Sequence, residues 1–306
     1  MVSTTDAQAR PFLSQAQAPL TCEVTAVNEH GEQIRVAIPA ERALTVYVDK
    51  RELVTLMTLG AHPELLVLGY LRNQRLVKDI QEIESITVDW DVGAAAVKTW
   101  RGIADIEAKT AQRVVTTGCG QGSVFGGLMD EVDQIQLPVD AQISQSQLYA
   151  LVNTIRLKET TYKSAGSVHA CALFDATTGE PDMLLFVEDV GRHNAIDTIA
   201  GWMWMTPVLL PLHQREGKGE GRGEGSPDSV CNTPLAFYTT GRLTSEMVIK
   251  SAQMGVPIVV SRSGITQMGH QVAQSVGLCA IGRATNKRFV CYTSPHRLLL
   301  QPSLAC

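Results

Sequence analysis

An alternation of short apolar runs with helix-length amphipathic stretches constrains this chain more than any other feature. Residues 168–175, 183–187, 235–239, 256–261, 278–281 and 289–292 read as apolar strands. Helix patterns fill the gaps at 245–254 and 266–276, and another follows 183–187 and runs through Trp202. Ser144, a capping residue type, opens a further helix that extends to about Lys158. Strands that are apolar on both faces need cover on both, and strand–helix–strand–helix order supplies it. Residues 138–306 are therefore expected to form a layered α/β domain.

The first half is spelled differently. Residues 21–27 and 33–37 mix apolar and polar positions and flank Asn28-Glu29-His30-Gly31, a hairpin-turn composition. Strand character continues at 45–48, 83–90 and 95–103. Pro63 opens a helix-periodic stretch through Leu71, and proline suits a first helical position. This predicts a β-rich N-terminal domain over 20–137, preceded by a disordered lead-in at 1–19 where Ala, Gln, Ser and Thr are frequent. The expected class is α/β, α+β overall. Within the second domain, Glu216-Gly217-Lys218-Gly219-Glu220-Gly221-Arg222-Gly223-Glu224-Gly225 alternates glycine with charge. Such a composition packs no core, so 214–229 is expected as a flexible surface insertion.

Composition narrows the function. A net charge of -5 argues against a nucleic-acid surface while leaving room for one local basic pocket. No apolar run has the length of a membrane span, and Met1 to Pro19 lacks the basic and apolar regions of a signal peptide. The seven cysteines are odd in number and widely spaced, and no Cys-x-x-Cys occurs. That pattern fits reduced thiols in the cytosol and gives no metal-ribbon spacing. A cytoplasmic protein that holds no metal of its own is expected.

Three constellations carry chemistry. Gly118-Cys119-Gly120-Gln121-Gly122 frames one thiol with three glycines. Glycine permits positive φ and close approach of another molecule, and successive backbone N–H groups can stabilise a thiolate. An inert cysteine beside a tight turn has the same spelling. Position 123 is Ser, so the dinucleotide fingerprint fails, and no phosphate-loop motif is present. The second constellation, Glu188-Asp189-Val190-Gly191-Arg192-His193-Asn194-Ala195-Ile196-Asp197, packs five ionisable groups into a strand-to-helix junction. Asp189 or Asn194 can cap the helix; Arg192 can hold an anion and His193 can act as acid, base or phosphate contact. The third, Thr239-Thr240-Gly241-Arg242-Leu243-Thr244-Ser245-Glu246, is another such junction, and Ser261-Arg262-Ser263-Gly264-Ile265-Thr266 repeats it. Together the junctions suggest one polar face for a phosphorylated ligand.

The order Gly118-Cys119-Gly120, Gly166-Ser167-Val168-His169-Ala170, Glu188-Asp189-Val190-Gly191-Arg192-His193-Asn194 and Gly241-Arg242 with Ser245-Glu246 resembles the FdhD family of formate dehydrogenase accessory proteins, or sulfur carriers. Thr58-Leu59-Gly60 through Gly69-Tyr70-Leu71 resembles that family's N-terminal pattern, and the likeness spans about residues 20 to 296. The resemblance implies a sulfurtransferase of carrier type. A cysteine desulfurase would load a persulfide on Cys119. The sulfur would then pass to the bis-molybdopterin guanine dinucleotide form of the molybdenum cofactor before that cofactor enters formate dehydrogenase. It also implies a homodimer, a second domain of cytidine-deaminase-like type, and a cofactor-binding segment at Gly282-Arg283-Ala284-Thr285-Asn286-Lys287-Arg288; from their place at the polar junctions, Arg192, His193 and Arg242 are expected to bind the cofactor as well.

This sequence departs from the family pattern in three places. Gly122 stands where the family usually has a second loop cysteine, which removes any two-cysteine relay within the loop. Arg283 and Thr285 replace an aromatic residue and an arginine, and the glycine-charge insertion is atypical. Two competing readings follow. Gly122 is compatible with a chaperone that holds the cofactor without moving sulfur. A zinc-dependent nucleoside deaminase is disfavoured, because His169-Ala170-Cys171 lacks the glutamate of His-x-Glu and no Pro-Cys-x-x-Cys follows.

Overall fold

A computed structural model describes residues 10–103, 132, 135–158, 161–206 and 234–304. Cys119 with its loop and the 214–229 insertion lie outside the described residues. In chain order the strands of the first part are β1 (Phe12–Leu13), β2 (Thr21–Val27), β3 (Gln33–Pro39), β4 (Arg42–Val48), β5 (Arg51–Thr58), β6 (Ile83–Asp89) and β7 (Ala94–Thr99), with α1 (Pro63–Asn73) between β5 and β6. There follow β8 (Ile143–Ser144), α2 (Gln145–Lys158), α3 (Thr161–Ala165), β9 (His169–Asp175), β10 (Asp182–Asp189) and α4 (Arg192–Met205). The remainder is β11 (Leu235–Thr239), α5 (Ser245–Gln253), β12 (Ile258–Ser261), α6 (Gln267–Ser275), β13 (Cys279–Thr285), β14 (Arg288–Cys291) and β15 (Leu298–Leu299). The mixed α/β class expected from the pattern is what the chain adopts.

The elements form two compact units that interleave along the chain. One comprises Met1–Val124, Thr161–Val168 and Asp189–Met205; the other comprises Phe125–Thr160, His169–Glu188 and Thr206–Cys306. In the first, a five-stranded sheet has the order β1-β6-β7-β4-β5. Its strands alternate: Leu44, Val46 and Val48 of β4 are buried while their neighbours are less so. Phe12–Leu13 pairs with β6 inside the stretch expected as a lead-in. Just after it, the Ser14 hydroxyl (2.6 Å) and the Ala16 N–H (2.7 Å) donate to Glu64, which anchors this segment to α1. β2 and β3 form a separate hairpin, and the Asn28 side chain accepts the N–H groups of His30 and Glu32 to close its turn.

α1 and α4 cross at backbone contact. A Cβ on Gly69 would lie 1.6 Å from the Asp197 carbonyl oxygen, and one on Gly201 2.0 Å from that of Leu65. Only hydrogen fits at either position. The crossing is tied by Asn73 Nδ2 donating to Asp197 (2.7 Å) and by Arg72 donating to the Ala200 carbonyl (3.2 Å). The Arg72 guanidinium stacks 5.4 Å over Trp204.

The second unit is built on a six-stranded sheet of order β10-β9-β11-β12-β13-β14. β11, β12 and β13 run parallel, while β9 and β14 are antiparallel to their neighbours. Leu148, Leu151, Val152 and Ile155 of α2 pack with Ala172, Phe174, Ala236, Val260 and Ile281 from one face of the sheet. The alternate residues Leu173, Phe237, Val259 and Ala280 are also buried. Burial of both faces in β9, β11 and β12 is the physical meaning of their continuous apolar runs, while the edge strands β10 and β14 are only partly covered.

Candidate functional site

Three parallel strands in register deliver their carboxyl ends to one edge. Thr239 of β11 lies opposite Ser261 of β12, and Val260 opposite Ile281 of β13. The loops that leave those strands, 240–244, 262–266 and the turn at Gly282-Arg283, therefore meet. In open α/β sheets this edge is where ligands bind.

The loops spend their small polar groups on one another. Thr239 Oγ1 accepts the Gly241 N–H (3.1 Å). Ser261 donates its hydroxyl to the Gly241 carbonyl (2.7 Å) and accepts the Ser263 N–H (3.0 Å). The Leu243 N–H bonds the Gly264 carbonyl, and the Arg283 N–H bonds that of Ser263 (2.6 Å). Gly282 is needed for that last approach, since a Cβ there would meet the Tyr292 ring at 2.7 Å and the Ser263 carbonyl at 2.9 Å. Arg283 itself takes a left-handed φ of 53°. What the network leaves outward are cationic side chains: Arg242, Arg262 and Arg283 are all exposed. The first turns of α5 and α6 open from the same loops, with Thr244 and Thr266 as N-caps. Thr266 accepts the Gly269 N–H (3.2 Å). The buried Thr244 hydroxyl has no hydrogen-bond partner among the described residues. Exposed arginines, helix N-termini and an unsatisfied hydroxyl on one edge form an anion-accepting rim.

A cleft of about 260 Å³ lies in the same unit, between α2 and the β13–β14 turn. It is lined by Tyr149, Val152, Asn153, Arg156, Asn286 and Lys287. Tyr149 donates its hydroxyl to the Lys287 carbonyl (3.0 Å), and Arg156 donates to Asn153 (2.9 Å). Its volume suits one fragment of a larger ligand.

In the first unit, Asp189 and Asn194 of the charged motif hold the fold together. Asp189 accepts from the Thr58 hydroxyl (2.5 Å), the Leu59 N–H (3.2 Å), the Gly191 N–H (3.1 Å) and the Asn194 amide (2.8 Å). The Asn194 amide also reaches the Met57 carbonyl (2.6 Å). Burial pushes the Asp189 carboxyl above its ordinary range, and these four donors oppose the shift. Asp189 and Asn194 therefore clamp the end of β5 to the start of α4. Gly60, just beyond, has a φ of 77° and a Cβ position only 2.5 Å from Trp90. Within this motif Asp189 and Asn194 thus form a fold-holding knot.

The predicted site residues fall into two groups. Arg283, Thr285, Asn286, Lys287 and Arg288 are exposed on the β13–β14 corner, with Gly282 and Ala284 buried beneath them. Arg242 shares their unit and the strand-end edge. Arg192 and His193 belong to the first unit, at the start of α4, and are buried to 6% and 2% exposure. Cys119 lies outside the described residues. Arg262, Tyr149, Asn153 and Arg156 were not among the predicted residues. Arg262 had a signal, because its Ser-Arg-Ser-Gly junction repeats the one at Arg242. The others had none, because their place depends on how α2 lies on the sheet.

These observations define a mixed α/β protein of two units whose second unit presents a basic rim at the carboxyl ends of parallel strands. The profile of the FdhD/NarQ family matches residues 39–299, and the chain belongs to that family. The sulfur carrier protein FdhD of Bacillus subtilis (strain 168) is 29% identical over 283 residues, covering 90% of this chain and 98% of that protein. The protein of the same name from Bacillus pumilus (strain SAFR-032) is 28% identical, covering 84% of this chain and 88% of its own. A crystal structure from Desulfotalea psychrophila, assigned as a formate dehydrogenase accessory protein, superposes with a TM-score of 0.68 at 21% identity. It covers 92% of this chain and 100% of that one, and the likeness shows the fold.

Proposed function

We propose that this protein is a sulfur carrier serving formate dehydrogenase. The observation that carries the reading is the family match across residues 39–299, supported by relatives named sulfur carrier protein FdhD. In finer detail, Cys119 takes sulfur from a cysteine desulfurase by thiolate attack on the desulfurase persulfide, which leaves a persulfide on Cys119 and frees the desulfurase thiol. The outer sulfur then goes to the bis-molybdopterin guanine dinucleotide substrate as sulfide, with two electrons supplied by a thiol reductant that leaves as a disulfide, and Cys119 returns to the thiol. Gly118, Gly120 and Gly122 bring no side chain that could obstruct that exchange.

The second unit suits the substrate's chemistry. A guanine dinucleotide is polyanionic, and Arg242, Arg262 and Arg283 stand exposed where the parallel strands end. Lys287 and Arg288 extend the positive surface around the β13–β14 corner. These side chains would bind and orient phosphate groups. The deaminase-like description of this unit remains part of the proposal and concerns its scaffold alone. Cys171, next to the His169-Ala170 dipeptide, is fully buried and donates to Thr239 Oγ1 (3.3 Å).

The test is mass spectrometry of Cys119 after incubation with a cysteine desulfurase and cysteine. The expected product carries one added sulfur on the peptide that contains Cys119. A permanently unmodified Cys119 favours the second reading, a chaperone that holds the cofactor without moving sulfur, which Gly122 at the usual second-cysteine position keeps in play.

A further inference from the structure

We propose that Cys279 and Cys291 form an oxidisable dithiol, with Cys291 as the attacking thiol and Cys279 as the resolving one, open to low-molecular-weight disulfides of the glutathione type. The pair belongs to neither the Cys119 loop nor the basic rim. The two sulfurs lie 3.9 Å apart on the neighbouring strands β13 and β14. Ile281 is opposite Cys291, so Cys279 and Cys291 are diagonal neighbours on the same face of the antiparallel pair. A disulfide needs about 2.05 Å, so side-chain rotation together with a small approach of the two strands must close the remaining gap of about 2 Å, because diagonal neighbours stand slightly wider than the usual disulfide span.

The surroundings distinguish the two thiols. Cys279 is fully buried in the core cluster, whereas Cys291 is half-buried at its margin. Cys291 donates to the Thr293 carbonyl (3.4 Å), which leaves its sulfur facing Cys279. The hydrogen bond between them raises the Cys279 thiol, and burial adds to that rise. The same bond lowers the Cys291 thiol, while partial burial opposes it. The accessible sulfur is thus the better thiolate, and the inaccessible one serves as its hydrogen-bond donor. The Arg297 charge opposes that rise at Cys279 without overcoming it.

Two exchanges complete the step. The Cys291 thiolate attacks one sulfur of the reagent disulfide, forms a mixed disulfide and expels one thiolate. Cys279 then loses its proton to solvent and attacks the Cys291 sulfur, expelling the second thiolate. Two electrons pass from the protein sulfurs to the reagent, which leaves as two thiols. The new bond would bolt β13 to β14 a few residues from the Asn286-Lys287 turn, which lines the cleft.

The experiment treats the full chain with oxidised glutathione, blocks free thiols with iodoacetamide and maps peptides without reduction. A peptide joining Cys279 to Cys291 is expected in the wild type. The C279S variant should instead carry glutathione on Cys291, and C291S should leave Cys279 reduced. Cys22 is exposed and lies in the other unit, so its glutathionylation verifies that the reagent acted. Recovery of both Cys279 and Cys291 as reduced thiols beside a modified Cys22, or a disulfide from either to any other cysteine, overturns the proposal. The wild-type map decides the matter even if a serine variant fails to fold.

Discussion

Replacing Gly201 by alanine puts two physical effects in opposition. Helix propensity alone favours the change by about 1 kcal/mol, because Gly201 sits inside α4 and alanine restricts the unfolded chain. Sterics oppose it. The new methyl carbon would lie 2.0 Å from the Leu65 carbonyl oxygen, 2.9 Å from the Gly69 nitrogen and 2.9 Å from the Leu65 carbonyl carbon. All three are backbone atoms of α1, so no side-chain rotation relieves the contact, and the two helices must part by more than an ångström. Overpacking of this kind costs about 1–3 kcal/mol or more. Parting the helices also stretches the buried Asn73–Asp197 and Arg72–Ala200 hydrogen bonds, each contributing about 1 kcal/mol. The steric and hydrogen-bond losses exceed the propensity gain, and G201A is expected to destabilise the first unit by about 2–4 kcal/mol. The assay is urea unfolding of the full chain followed by far-ultraviolet circular dichroism. Gly179, exposed with nothing near its Cβ position, supplies the control G179A, expected within about 0.5 kcal/mol of wild type. A G201A protein as stable as wild type, or more so, would refute the close-crossing argument.

Other substitutions separate the knot, the rim and the thiol. D189A removes the acceptor of four donors and leaves the buried Asn194 amide and Thr58 hydroxyl poorly satisfied, so a loss of about 2–4 kcal/mol is expected in the same unfolding assay. Charge reversal at Arg242 or Arg283 should weaken binding of a guanine dinucleotide about tenfold or more by calorimetry, with stability unchanged because both side chains are exposed; unaltered affinity removes that arginine from the site. C119A should retain the circular-dichroism spectrum of the wild type and abolish activation of formate dehydrogenase in cells; full dehydrogenase activity counts against sulfur transfer.

Much of the architecture was already written in local pattern. The Asn28–Gly31 turn composition sets the β2–β3 hairpin, Pro63 opens α1, and continuous apolar runs mark the buried strands β9, β11 and β12. Strands and helices obey periodicities of nearest neighbours, so a linear reading finds them. The strand-end edge of β11 and β12 was likewise legible, because glycine, arginine and capping hydroxyls cluster at the Gly241-Arg242 and Arg262-Gly264 junctions, where an apolar run gives way to a helical pattern. Long-range pairing lay beyond that reading. Nothing near Gly69 or Gly201 in the sequence announces that they meet, and β5 escapes notice because its polar ends blur its alternation. The polar string from Glu188 to Asn194 offered helix caps at Asp189 or Asn194 beside ligand contacts at Arg192 and His193, with no sign of distant partners. The fold turned Asp189 and Asn194 inward to hold Thr58 and Met57, residues more than a hundred positions away. The partners of a buried carboxylate, or of one sulfur such as Cys279, are set by which strands become neighbours. Sequence order alone carries no such distances.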